Sequence, residues 1–238
     1  MRCRYNIPNI FAVSFFGKEQ QKGIFNMSKM KKDKRELLAF TQLSVLLAIE
    51  IIVCFTPLGT LPAIGPLSAT LSHIPVIITA VILGEKAGAF MGFAFGMCSF
   101  IYWSFVAPGL FSFIYTPFYS LGEFRGDFFS LLICFVPRIL IGIVTALICK
   151  LLQKTRLNET VTLLLAGAAG SLTNTLLVLS GIYVFFGEQY LAALGETKAL
   201  VYILFITVLT NGLPEALIGA LSAAFIAAPV KRAVAKIK

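Results

Sequence analysis

A guanidinium, two carboxamides and two carboxyl groups stand inside the most apolar stretches of this chain. Arg138 lies about ten residues into one such stretch, a depth of about 15 Å at the helical rise per residue. Asn174 and Asn211 lie about 17 Å from the matching ends of the two stretches that follow. A lone arginine at that depth is costly unless it is paired or hydrated. Two readings are open. In one, the three side chains form an interhelical hydrogen-bonded clamp, with Glu215 or Glu50 as the counter-charge. In the other, the guanidinium grips the carboxylate of a ligand through two parallel hydrogen bonds, and Asn174 and Asn211 complete a pocket around it. Ionisable groups inside a membrane favour the second reading.

The neighbouring polar residues divide in the same way. Glu50, about six residues from the end of the first apolar stretch, either pairs with Arg138 or forms a pocket rim that accepts hydroxyl protons. Glu215 closes the run Asn211-Gly212-Leu213-Pro214-Glu215, whose glycine and proline should break helical regularity and free backbone groups. His73, just before Pro75, is a satisfied structural histidine or a residue at the pocket mouth. It is the single histidine of the chain, so neither a histidine metal site nor His-based catalysis is expected. The five cysteines, Cys3, Cys54, Cys98, Cys134 and Cys149, form no CxxC pair and read as small buried hydrophobes.

Helices must position these groups, and lipid must be their solvent. The 238 residues are 58% hydrophobic and only 13% charged, against about 25% charged in a typical soluble domain. Such a chain cannot cover itself with polar groups in water. Six apolar stretches follow one another, at 36–55, 69–83, 87–106, 128–152, 160–186 and 199–230. All but the second approach the roughly 20 residues that a bilayer requires. They are too long and too continuously apolar for barrel strands. The predicted fold is an all-α membrane protein, a bundle of six transmembrane helices over 35–230. It lies between a basic amino-terminal tail, 1–34, and a basic carboxyl-terminal tail, 231–238. Met27 precedes a basic run that makes a normal start for a membrane protein, so 1–26 read as an over-extended start or a disordered tail.

The net charge of +9 does not point to nucleic acid, because the cations are segregated by position. Seventeen of the 20 Lys and Arg fall in the two tails (with Arg35 at the edge of the first), the turn at 84–86 and the loop at 150–159. That asymmetry predicts that both termini are cytoplasmic. On the other side lie two longer loops. One carries Thr56, Pro57, Gly59 and Pro62, whose hinge character suits a moving gate. The other, 107–127, holds Phe111, Phe113, Tyr115, Phe118 and Tyr119 just after Trp103. It reads as an interfacial belt or as an aromatic lid over an outward pocket, with Tyr115 among the pocket residues. Gly84, Gly88, Gly92 and Gly96 recur every four residues and predict close helix packing. Ser44 and Ala48 form a second small-residue pair, for internal packing or for docking a partner helix. No GxxxxGK[ST], GxSxG or HExxH sequence is present, so no phosphate-cradling loop for ATP and no enzyme active site are expected.

The segment Pro66-Leu67-Ser68-Ala69-Thr70-Leu71-Ser72-His73-Ile74-Pro75-Val76-Ile77-Ile78, with Leu83-Gly84-Glu85-Lys86-Ala87-Gly88-Ala89 after it, resembles the substrate-binding S components of energy-coupling factor (ECF) vitamin transporters. The likeness in layout and size covers nearly the whole chain from about Met27. Ser44 and Ala48 stand where the family carries its small-residue docking motif, with serine at 44 where alanine is usual. The resemblance implies a vitamin-capture subunit without its own ATPase or cofactor. It would topple in the bilayer on docking to a membrane coupling protein driven by two ATPase subunits in a prokaryotic cell membrane. The His-Ile-Pro wording, with Arg138 and Asn174 in successive helices, most resembles the pantothenate-specific branch. Pantothenate carries a carboxylate, an amide and two hydroxyls, which an arginine, asparagines and an acid could match. Folate or riboflavin are alternative vitamins, and an intramembrane enzyme is a remoter one. Riboflavin, lacking a carboxylate, would leave Arg138 unexplained.

Overall fold

The computed structural model describes residues 10–59, 70–121, 124–195 and 199–237, with side chains placed from Asp33 to Val234 apart from Leu58 and Leu121. It divides into two units, Met1–Gln42 and Leu43–Ile237. Helix α1, Ile10–Phe55, begins in the first unit and ends in the second. The segment assigned above to a basic tail, 1–34, is helical from Ile10 onward.

The second unit holds the rest of the helices. The short α2, Ile74–Leu83, turns at Gly84 into α3, Glu85–Ile101, which widens into a π turn at Tyr102–Val106. The aromatic loop follows, with a two-residue antiparallel ladder of β1, Ser120–Leu121, on β2, Phe124–Arg125. Then come α4, Phe128–Leu152, α5, Glu159–Phe185, and the short α6, Gly187–Leu194. The last stretch is one irregular helix: α7, Leu200–Thr207; a π turn, Val208–Gly212; α8, Leu213–Ser222; a second π turn, Ala223–Ala227; and α9, Ala228–Ile237.

Five of these helical stretches are long and apolar enough to cross a membrane: 33–55, 85–106, 128–152, 159–185 and 200–234. The protein is therefore a mostly helical, multi-pass membrane protein. The second expected span differs. Its helix, α2, has ten residues, about 15 Å of rise, which is half the hydrocarbon thickness of about 30 Å. Pro75 in its first turn tolerates the helix start, and Gly84, at φ +89°, ends it.

Gly84 therefore belongs to a turn rather than to the glycine stripe, and a side chain there would meet open space. The other three stripe glycines do the expected packing. Gly88 lies against Gly142 of α4, Gly92 against the backbone of Arg138, and Gly96 against Phe135. With no Cβ between them, α3 and α4 approach at backbone distance. That approach fixes where Arg138 stands.

Two apolar clusters fill the unit. One joins Val76, Ile77, Met91, Phe95, Ile141, Leu163 and Ala223 across α2, α3, α4, α5 and the last helix. The other sets Phe113, Ile114 and Tyr115 of the aromatic loop against Ile133, Ile182, Phe186 and Tyr190. The start of α4 pins that loop. The Asp127 carboxylate accepts from the Phe129 amide at 2.8 Å, and the Ser130 hydroxyl accepts from the Asp127 amide at 3.0 Å. This capping box satisfies donors that the helix leaves over. The same Ser130 hydroxyl donates to the Phe113 carbonyl at 2.6 Å, so the cap also holds the loop that carries Tyr115.

Candidate functional site

A cavity of about 590 Å³ opens among the ends of α1 and α3, the aromatic loop, and the middles of α4, α5 and the last helix. Its size falls within the range of about 300–1,000 Å³ typical of small-molecule sites. Arg138, Asn174, Asn211 and Tyr115 all line it. Glu215, Thr175, Phe95 and Trp103 line it too.

The orientation of Arg138 follows from the residue before it. Pro137 lies inside α4 and has no N–H to give to the carbonyl four residues back, which belongs to Ile133. Arg138 takes that place: its Nη1 donates to the Ile133 carbonyl at 2.7 Å. The proline thus creates an acceptor in the apolar core, and the next side chain fills it. The guanidinium lies over the Tyr115 ring at 5.0 Å and the Phe95 ring at 5.6 Å, a stabilising stack for a cation. Arg138 is only 6% exposed. Its buried Nε has no acceptor, and no carboxylate pairs with it among the described residues. The cation therefore faces a void.

Glu215, one of the two acids weighed as counter-charge, is engaged elsewhere. Its Oε1 accepts from the Thr70 amide at 2.7 Å, and its Oε2 from the Thr175 hydroxyl at 3.1 Å. It reaches the cavity wall because the last helix is irregular there. The π turn at Val208–Gly212 precedes Pro214 and carries Asn211 inward, where it is 5% exposed. Asn174, on α5, has a buried Oδ1 with no partner. The wall thus offers a cation at one place and acceptors at others.

Tyr115 stacks on Trp103 with ring centres 5.5 Å apart. Burial pushes its phenol up, and the Arg138 charge beside it offsets part of that rise. The phenol therefore stays protonated and able to donate. Phe111 also faces the cavity, while Phe118 is exposed.

Two expected site residues stand behind the wall instead of on it. Glu50 is fully buried and does not line the cavity; its Oε1 accepts from the Cys54 thiol at 3.2 Å. Cys54, one helical turn further on, takes the wall position. His73 is also fully buried, and its Nε2 meets the Ser171 hydroxyl at 3.3 Å, tying α2 to α5. Ser72 and Thr70, just before it, line the cavity. Of the gate residues, Thr56 and Pro57 line the cavity. Gly59 packs tightly against the Val53 carbonyl, and its own carbonyl accepts from the Leu71 amide at 2.8 Å. Pro62 lies outside the described residues. Ser44 and Ala48 are exposed, one turn apart on α1.

A family model described as "ECF transporter, substrate-specific component" matches residues 38–230. The chain belongs to that family. The S component also resembles the "Pantothenic acid transporter PanT" of Lactococcus lactis subsp. cremoris (strain MG1363), with 36% identity over 197 residues. The alignment spans 79% of this chain and 96% of the relative. Membership makes the protein a transporter subunit of the cell membrane. Pro137 and Thr175 are among the residues that shape the wall without a motif to mark them in the sequence, as is Phe95. A proline immediately before an intramembrane arginine was the available signal for the first. Thr175 gave none, because its role depends on Glu215 from another helix.

Proposed function

We propose that this S component captures pantothenate, its carboxylate held by Arg138 and its amide and hydroxyls met by Asn174, Asn211 and Glu215. The observation that carries the proposal is a buried arginine facing a 590 Å³ cavity, with no carboxylate among the described residues paired to it. A guanidinium held between two aromatic rings is already desolvated, so a ligand carboxylate gains more from it than it would in water. Pantothenate is preferred over other anions because the relative at 36% identity carries that vitamin's name. Glu215 and Asn174 also supply acceptors for hydroxyl and amide protons. Folate and riboflavin, the alternative vitamins, fit less well, since riboflavin has no carboxylate for Arg138.

In this reading both termini are cytoplasmic and the cavity opens outward, as the distribution of Lys and Arg argues. The short α2 acts as the sixth membrane-embedded helix. The segment containing Thr56, Pro57, Gly59 and Pro62 gates the cavity. The exposed Ser44–Ala48 pair docks a membrane coupling protein, and two partner ATPases hydrolyse the ATP. The chain itself uses no cofactor.

Calorimetry with purified protein tests the assignment. Pantothenate should bind, and Arg138→Ala should remove binding while the protein stays folded. Unchanged affinity in that variant, or a different small molecule found by mass spectrometry of the purified protein, would reject the proposed chemistry.

A further inference from the structure

A second cavity, of about 320 Å³, lies at the other end of the same helices. Its floor is apolar: Ala80, Val81, Ala146 and Cys149 are all buried. Its rim carries Lys150 near the end of α4 and Lys231 on α9. Gln153 joins them, although its Nε2 is turned to the Cys149 sulfur at 3.2 Å. Neither lysine pairs with a carboxylate among the described residues. Glu85 is on the rim but outside pairing distance of both, and Glu159 is committed to Arg232 at 2.8 Å. Two ammonium groups thus border a recess whose own carboxylate, Glu85, pairs with neither of them.

The level of this recess and its surroundings indicate what would fill it. Helix α4 has 25 residues, about 38 Å of rise, which exceeds the hydrocarbon thickness of about 30 Å. Its last turn therefore reaches the headgroup region. Leu147 and Leu151 flank Lys150 on α4, and Val230 precedes Lys231; all three are exposed. A ligand seated between the lysines would have its tail against these side chains. Basic recesses between helices at this level suit lipid phosphates.

We propose that the recess between Lys150 and Lys231 binds the phosphodiester headgroup of an anionic membrane lipid, with Leu147, Leu151 and Val230 against its acyl chains. The assignment does not depend on which vitamin the first cavity takes.

Native mass spectrometry of the full chain in neutral detergent tests it, with phosphatidylglycerol, phosphatidylcholine of the same chains and inorganic phosphate as separate probes. Phosphatidylglycerol should bind more tightly than phosphatidylcholine. Lys150→Gln with Lys231→Gln should weaken it roughly 30-fold, about fivefold per lysine. Lys154→Gln with Arg156→Gln, which removes equal charge outside the recess, should leave it within about twofold, because neither residue lines the cavity. Vitamin binding should persist in both double variants, which shows that they are folded. Equal binding of the two lipids, or equal loss in the two variants, would overturn the proposal. Inorganic phosphate that binds as tightly through the same lysines would overturn it as well, by assigning the site to a soluble anion.

Discussion

The two cavities at opposite ends of the bundle use positive charge in different ways. At one end a single guanidinium, 6% exposed, is fixed by the Ile133 carbonyl and by two aromatic rings. At the other, two flexible ammonium groups stand at an open rim above an apolar floor. A buried, preorganised cation gives directional, bidentate recognition. Mobile surface lysines give attraction with little geometric demand. The first arrangement suits a small molecule with a defined shape, and the second a headgroup that exchanges within a bilayer.

The largest effect should come from Arg138→Ala. Vitamin affinity should fall by at least about 30-fold, in line with the 2–5 kcal/mol attached to a buried hydrogen-bonded charge pair. Phosphatidylglycerol binding at the other end should not change. Parallel calorimetry and native mass spectrometry measure both; a joint loss would mean that the two ends are not independent.

Glycine variants sharpen the contrast through packing. Gly142→Ala and Gly92→Ala should each destabilise the protein by about 1–3 kcal/mol, because the new methyl group meets the backbone of the facing helix. Gly92 faces the Arg138 carbonyl, whereas Gly142 faces Gly88. Only Gly92→Ala should therefore also weaken vitamin binding. Thermal unfolding in detergent and calorimetry read the two effects separately, and equal affinity losses would count against the distinction.

A smaller effect is expected from Pro137→Ala. The restored N–H would compete with Arg138 for the Ile133 carbonyl. Affinity should drop about tenfold, roughly the 1.4 kcal/mol of one hydrogen bond to a charged group. Thermal stability should hold or rise. Wild-type affinity in this variant would show that the proline does not set the direction of the arginine.

Salt should produce the smallest change in the vitamin cavity. Raising ionic strength from about 0.1 to 1 M shortens the screening length from about 10 Å to about 3 Å. Lipid binding at the rim lysines should weaken markedly. Vitamin affinity should move by no more than about twofold, because the guanidinium is shielded by protein. Equal salt sensitivity would indicate that both sites are solvated alike.

Much of the architecture was legible from local pattern. Apolar runs at 128–152 and 160–186 declare spanning helices because a bilayer selects for length and continuity. The brevity of α2 was visible too, in the polar residues from Thr70 to His73 and in Gly84. Less legible was the side of each helix that a residue would face. Glu50 and Cys54 are one turn apart, yet only Cys54 reaches the cavity. Hydropathy gives depth but not the rotation of a helix about its axis.

The sequence by itself determined that lipid is the solvent, that Arg138, Asn174 and Asn211 share a depth, and that cations gather at chain ends and certain loops. These follow from composition and from a rise of 1.5 Å per residue, both of which are properties of the chain alone. Only the tertiary structure decided that, among the described residues, no acid neutralises Arg138. Glu215 is drawn to an amide 145 residues away and a hydroxyl 40 residues away. It likewise decided that Lys150 and Lys231, on different helices, border one recess. Such outcomes depend on which helix faces meet, and they meet where glycines allow backbones to approach and prolines free their acceptors.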